Sequence, residues 1–280
     1  MSYRTIVVHL DSGPRCAVRV ALAVRLAASQ GAHLIGLAPT GLADVVVSMG
    51  TAAPDILELI HLSASVLRER AEAAAVAFER QAKSAALASH ECRVVQGKPI
   101  DAITSHGRCS DLVVVGQGER PANAEDQAAD LPQQTLLHTG CPVLAVPASG
   151  NFDSVGRHVV VAWKDTREAA RSLRDALPLL QAADRVDVLE IVAAASEEAA
   201  RRVALLDVLA WLGRHGVDAG MRVETSALEA GEALLARAGA LSADLIVMGA
   251  YGHSRLREWI LGGATRHLLA HMTVPVVMSH

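Results

Sequence analysis

The chain has 280 residues, of which 51% are hydrophobic and only 2% aromatic, a balance that suits close packing of helices on sheets by small side chains. Its formal net charge is −4, without the excess of Lys and Arg expected of a nucleic-acid-binding protein, so we expect no DNA or RNA partner. No apolar run approaches the roughly 20 residues that span a bilayer, and the N-terminus lacks a signal-peptide pattern. We therefore expect a soluble, cytoplasmic protein with no membrane association.

The first half of the chain alternates strand patterns with Ala-rich helix patterns. Near-continuous apolar runs predict buried strands at 6–10, 112–115 and 143–146. Apolar residues spaced i, i+3, i+4 predict helices over 17–30 and 63–90. Residues 38–60, with their Gly and Pro residues, read as an inserted loop containing one short helix.

The second half shows the same alternation. Strands are predicted at 159–163, 186–192, 245–248 and 274–278. Helices are predicted over 167–181, 197–215, 231–240 and 266–272. Alternating strands and helices predict parallel sheets with right-handed crossovers.

The two halves also repeat each other in sequence. Residues 110–116 (SDLVVVG) match residues 243–249 (ADLIVMG), and a Pro-Val strand start recurs at the same offset of 133 residues, from 142 to 275. The first strands match at a larger offset, so the first half holds about twenty extra residues in its middle. With a turn-rich linker around 150–154, we predict two domains, 1–150 and 155–280.

A glycine-rich segment follows the strand that ends at Met248. Gly249 and Gly252 come first, then nine residues, then Gly262 and Gly263 before a helix. In open parallel sheets, ligands sit at the carboxyl ends of the strands. Glycine lets the backbone approach a phosphate closely, and a helix N-terminus attracts negative charge. The segment therefore indicates a phosphate-binding loop.

This pattern, with its aliphatic helix and Pro-Val strand, resembles the nucleotide loop of the universal stress protein family, and the resemblance extends in two copies over nearly the whole chain. It implies an α/β fold of two tandem open parallel five-stranded sheets flanked by helices, a nucleotide-binding Rossmannoid of the adenine nucleotide alpha hydrolase-like type. It also implies dimer-like packing of domains. In the family's nucleotide-binding branch the ligand is ATP or a related adenine nucleotide, with or without Mg²⁺.

Carried over to this chain, the resemblance places Gly249 beside the ribose and lets the glycines that follow offer backbone N–H groups to the phosphates. Thr265 adds a hydroxyl that can cap the helix or bind a phosphate oxygen. The predicted nucleotide-binding residues are Ala162, Trp163, Asp165, Val192, Met248, Gly249, Gly252, His253, Gly262, Gly263, Ala264 and Thr265.

The second half departs from the family pattern at two places. Gly263 stands where the family often has Ser, which removes a hydroxyl but keeps the N–H, so weaker phosphate binding is expected. The first-strand loop, usually Asp-Gly-Ser, reads Lys164-Asp165-Thr166 here. Asp165 is then expected to reach the ribose or base, and Lys164 a phosphate.

The first half departs further. Glu119 and Asp130 occupy positions that are glycine in the second half, and Pro132 replaces the threonine. Two carboxylates within a few ångströms of the phosphates would repel them. Although residues 11–13 (Asp-Ser-Gly) fit the family's first loop well, we predict that the first half does not bind nucleotide.

The sequence therefore predicts a stress-response regulatory protein that binds an adenine nucleotide in its second domain, acts on unknown protein partners, and forms a homodimer or an internal pseudo-dimer. It assigns no catalytic residue and no metal ligand. His267 and His271 have the i, i+4 spacing of a metal-binding pair but lack a third ligand. Two alternatives remain open: a nucleotide-free interaction scaffold, and a slow ATPase or autokinase with Thr265 or Ser254 as acceptor.

Overall fold

The computed structural model describes residues 2–41, 54–118, 131–252 and 263–280, with the side chains of 54–61 left out. The chain divides into two compact units, residues 2–116 and 117–280. Within the described residues, no helix combines the length and the apolar character needed to cross a membrane.

The unit formed by residues 2–116 is a parallel sheet with helices. Its elements are β1 (Thr5–His9), α1 (Cys16–Gln30), β2 (His33–Pro39), α2 (Pro54–Ser84), β3 (His90–Val95), α3 (Pro99–Gly107) and β4 (Leu112–Gly116). The strand order is β3-β2-β1-β4, and every pair is parallel. The central strand β1 is almost completely buried, as expected for a strand covered on both faces.

Two glycines allow helices to close onto this sheet. Gly31 ends α1 in the left-handed conformation, with φ of 62°, and its N–H bonds back to the last turn of the helix. Gly36 lies within β2, where an added Cβ would sit 2.9 Å from the ring of Phe78 on α2. The missing side chain at Gly36 thus makes room for a fully buried aromatic residue.

The unit formed by residues 117–280 contains the remaining elements. They are α4 (Leu131–Thr139), β5 (Val143–Val146), β6 (His158–Ala162), α5 (Arg167–Asp175), α6 (Leu177–Leu180), β7 (Arg185–Val192), α7 (Glu198–Arg214), β8 (Ala219–Thr225), α8 (Ala230–Ala240), β9 (Leu245–Gly249), α9 (Gly263–His271) and β10 (Val276–Ser279). The strand order is β5-β10-β9-β6-β7-β8.

Five of these six strands, β10, β9, β6, β7 and β8, are parallel to one another, which confirms the predicted parallel α/β architecture. The sixth, β5, pairs antiparallel with β10, with Leu144 opposite Val277. The strand β5 lies in the predicted first repeat but in the second compact unit. The unit boundary near residue 116 therefore differs from the repeat boundary near residue 150, which stays a prediction.

Corresponding aspartates hold the first strand of each half. Asp111 accepts hydrogen bonds from the backbone N–H groups of Arg4 and Thr5, at 2.6 and 2.9 Å. Asp244 accepts them from Gly156 and His158, at 3.1 and 2.9 Å. Both carboxylates thus satisfy backbone N–H groups at the start of a strand.

Candidate functional site

The predicted ligand edge of the second half lies where β6 and β9 end. Ala162 pairs with Met248 across these two strands, which brings the chain segments after both strands to the same edge. Trp163 follows Ala162, is half-buried, and donates its N–H to the carbonyl of Leu189 at 2.8 Å. The structure thus brings together three of the predicted site residues at the carboxyl end of the sheet.

The helix α5 begins at this edge. Thr166 is its N-cap, with extended backbone, and its hydroxyl accepts a hydrogen bond from the N–H of Ala169 at 3.3 Å. The start of a helix carries the positive end of its dipole, which favours negative charge nearby.

Gly249 packs directly on the first turn of α5. A Cβ built on Gly249 would fall on the backbone of Glu168 and Ala169, 2.8 Å from the Cα of Ala169. Glycine is therefore required here by the approach of helix to strand. Gly249 was predicted to lie beside the ribose of a nucleotide, and the helix contact is a structural reason for glycine that is independent of any ligand.

Gly252 lies beside the same helix start. A Cβ built on Gly252 would lie 3.0 Å from Oε2 of Glu168 and 3.4 Å from Oγ1 of Thr166. Glu168 was not among the residues predicted for the site, and the structure places it beside Gly252 of the predicted phosphate loop. The detectable signal was its position, two residues after a threonine suited to cap a helix.

Glu168 is 7% exposed, and its other oxygen, Oε1, pairs with Arg167 at 2.8 Å. Burial works to raise the pKa of Glu168, but hydrogen bonds from its own backbone N–H and from Arg167 outweigh it. The positive charges of Arg167 and His280 act in the same direction, so the pKa of Glu168 lies below its ordinary value. The loop therefore faces a carboxylate that is ionised at neutral pH.

The predicted site also includes the start of α9. Gly263 is exposed, and a Cβ built on it would meet nothing within 4 Å. Ala264 follows, with its carbonyl oxygen 2.9 Å from where a Cβ of Gly231 on α8 would lie. Thr265 is only 3% exposed. The predicted site residues His253 and Gly262 lie outside the described residues.

The predicted adenosine side of the site contains a second buried carboxylate. Val192 ends β7 and is 5% exposed, whereas Asp165 is exposed. Glu190, two residues before Val192 in β7, is 6% exposed, and its Oε1 lies 3.5 Å from Nε of Arg201. Burial raises the pKa of Glu190, Arg201 partly offsets this, and the negative charge of Asp165 raises it further.

The chain end is attached to the glycine loop. Nδ1 of His280 lies 3.2 Å from the carbonyl oxygen of Ala250, and the rings of His280 and Tyr251 meet edge to face. Tyr251 adopts a left-handed backbone conformation, with φ of 63°, which is costly for a residue with a side chain. His280 thus helps to hold Ala250 and Tyr251, at the start of the loop, in this conformation.

The corresponding edge of the first half is arranged differently. Asp11, from the loop that fits the family pattern, accepts hydrogen bonds from the N–H of Gly13 at 2.9 Å and from Arg19 at 2.7 Å. Arg19 is 3% exposed and also donates to the carbonyl of His9 at 2.8 Å. The carboxylate is therefore already paired within the chain. Pro132 is buried in α4, while Glu119 and Asp130 lie outside the described residues.

Metal-ligating side chains are sparse in what the structure describes. Among the described residues, no group of three or more His, Cys, Asp or Glu side chains is arranged to hold a metal ion. His267 and His271 stack ring on ring, and Nδ1 of His271 lies 3.0 Å from the carbonyl oxygen of His267. Among the described residues of the candidate site, carboxylates are contributed by Asp165, Glu168 and Glu190.

Comparison with known proteins identifies the fold. Residues 156–280 match the Universal stress protein family. A universal stress protein from Archaeoglobus fulgidus DSM 4304 covers 98% of this chain over 97% of its own length, with a TM-score of 0.72 and 16% identity. A functionally unknown protein from Pseudomonas aeruginosa PAO1 gives a TM-score of 0.60 at 14% identity, covering 99% of this chain and 92% of its own.

No curated protein matches the chain. At these identities the solved structures establish a shared fold, while the family match rests on the second half. The chain thus carries a universal stress protein family domain at residues 156–280, within a fold that it shares over nearly its whole length with a solved universal stress protein.

Proposed function

We propose that the second half binds ATP or a related adenine nucleotide, and that occupancy of this site regulates the protein's interactions during stress. The observation that carries the proposal is the position of the glycine loop. Gly249 and Gly252 lie against the capped start of α5, at the carboxyl ends of β6 and β9. This is the edge at which open parallel sheets bind their ligands.

The backbone supports phosphate binding from two directions. The first turn of α5 lies on one side of the loop, and α9 begins with the exposed, unhindered backbone of Gly263. Both helix starts carry the positive end of a helix dipole, which favours a bound anion. Ala162 and Trp163, both half-buried after or at the end of β6, supply apolar surface that suits a base.

The first half is proposed to lack a nucleotide site. Asp11, which the family pattern assigns to nucleotide contacts, is paired with Arg19 at 2.7 Å and with the N–H of Gly13. A nucleotide that used Asp11 would have to displace these hydrogen bonds. The side chain of Arg19, which makes one of them, is itself buried. One nucleotide per chain is the expected stoichiometry.

A nucleotide-free scaffold is the second candidate. The antiparallel pairing of β5 with β10 joins a strand of the predicted first repeat to one of the second. This pairing supports an internal pseudo-dimer, whose assembly needs no ligand.

Regulation by a nucleotide, in contrast, requires that two conformations of the protein differ in their affinity for that nucleotide.

Equilibrium dialysis tests the proposed function. Purified full-length protein is dialysed against radiolabelled ATP with excess Mg²⁺, and unlabelled ADP, AMP, cAMP and GTP are used as competitors. We expect about one ATP bound per chain, with displacement by adenine nucleotides and not by GTP. Absence of binding at millimolar ATP would contradict the proposal and favour the scaffold.

A further inference from the structure

The carboxylate of Glu168 lies beside Gly252, a residue of the glycine loop that is proposed to receive phosphates. Its Oε2 would be 3.0 Å from a Cβ on Gly252, while its Oε1 is held by Arg167 at 2.8 Å. The side chain is 7% exposed, so little solvent screens the charge. A phosphate bound next to Gly252 would therefore lie close to the negative charge of the Glu168 carboxylate.

Glu168 also occupies the helix start itself. It is the second residue of α5, after the cap Thr166, and its carboxylate accepts a hydrogen bond from its own N–H. The carboxylate thus takes part of the positive potential that an incoming phosphate would use. Arg167 neutralises only one side of the carboxylate, because its contacts are with Oε1.

We propose that Glu168 makes nucleotide binding at this site dependent on a divalent cation, by contributing Oε2 to a Mg²⁺ ion shared with the phosphates. The inference rests on the proposed function. Mg²⁺ is commonly held by one or two carboxylates together with substrate phosphates, which is the donor set available here. Without the cation, Glu168 repels the phosphates and acts as a selector against free ATP.

Among the described acidic residues near this edge, position favours Glu168 for this role. Asp165 is exposed on the loop before the helix cap. Glu190 is engaged with Arg201 at 3.5 Å. Of these three carboxylates, Glu168 is the one placed against Gly252.

The test compares ATP affinity with Mg²⁺ and with EDTA, by calorimetry at fixed ionic strength, for wild type and Glu168→Gln. Wild type should bind Mg²⁺-ATP at least about tenfold more tightly than free ATP, as expected for removal of one close like-charge contact. In Glu168→Gln the ratio should fall to about threefold or less, mainly because free ATP binds better. Asp207→Asn, which removes an exposed charge on α7, is the matched control and should keep the wild-type ratio.

Two results would overturn the role of Glu168 while leaving the proposed function intact. One is equal affinity of wild type for ATP with and without Mg²⁺. The other is a Mg²⁺ dependence that Glu168→Gln leaves unchanged, which would place the cation on other groups. No binding by either protein under either condition would instead contradict the proposed function, and this inference with it.

Discussion

Gly249 lies so close to Ala169 that a Cβ on the glycine would be 2.8 Å from the Cα of Ala169 and would overlap the backbone of α5. Backbone atoms cannot move aside as a flexible side chain can. The glycine at the start of the loop is therefore needed for folding before it can serve a ligand, and the two roles can be separated by substitution.

Gly249→Ala should lower the free energy of unfolding by about 2 kcal/mol or more, because overpacking forces a shift of strand or helix. Urea unfolding followed by circular dichroism measures this. Gly263→Ala is the matched control, since a Cβ there meets nothing within 4 Å, and it should change the free energy of unfolding by less than about 0.5 kcal/mol. Equal stability of the two variants would contradict the proposed packing of Gly249.

Gly263→Ser should strengthen nucleotide binding. The position is exposed and has room for a side chain, and a serine hydroxyl adds a hydrogen-bond donor next to the proposed phosphates. A net contribution of about 1 kcal/mol corresponds to roughly fivefold tighter ATP binding. Competition binding of Gly263→Ser against Gly263→Ala isolates the hydroxyl, and equal affinities would show that no phosphate lies within its reach.

The buried His9 should make stability depend on pH. Burial, with the charge of Arg19, lowers the pKa of His9 to about 4, although Asp11 works in the opposite direction. Between pH 6.5 and 4 the unfolded chain binds a proton that the folded protein excludes. The stabilisation is therefore fully present above pH 6.5 and is lost as the pH falls towards 4, by about 3 kcal/mol in total.

His9→Gln should remove this part of the pH dependence. Urea unfolding at pH 7 and pH 4.5 compares the loss of stability in wild type, in the variant and in the control His138→Gln, whose side chain is exposed. The loss should be smaller in His9→Gln than in the other two proteins. Identical losses in all three would show that His9 is protonated as readily in the folded protein as in the unfolded chain.

The sequence predicted the strands that are buried on both faces, such as β4 and β9, because their apolar runs are continuous. It did not predict β2, although most of that strand is buried. It also did not predict β3 or β8, whose residues are partly exposed and include charged side chains, so that periodicity gives no clear signal. The single helix predicted over 167–181 was wrong. The structure divides it into α5 and α6, with Pro178 in the first turn of α6.

For the site, the sequence predicted which segments meet but not the contacts between them. The rule that ligands lie at the carboxyl ends of parallel strands placed the loop after β9 beside the loop after β6, and the structure has them adjacent. The approach of Glu168 to Gly252 depends on how closely α5 packs on Gly249. That distance is a property of tertiary packing, which the spacing of residues along the chain does not encode.

The most direct test of nucleotide binding in the second half is calorimetric titration of Mg²⁺-ATP into wild type, Gly252→Glu and the control Gly263→Ala. The substitution at Gly252 adds a second carboxylate on a side chain whose Cβ would lie 3.0 Å from Oε2 of Glu168, next to the place where phosphates are proposed to bind. We predict one site per chain in wild type and in Gly263→Ala, and its loss in folded Gly252→Glu. Two sites in wild type, or binding that persists in Gly252→Glu, would contradict a single nucleotide site at this loop.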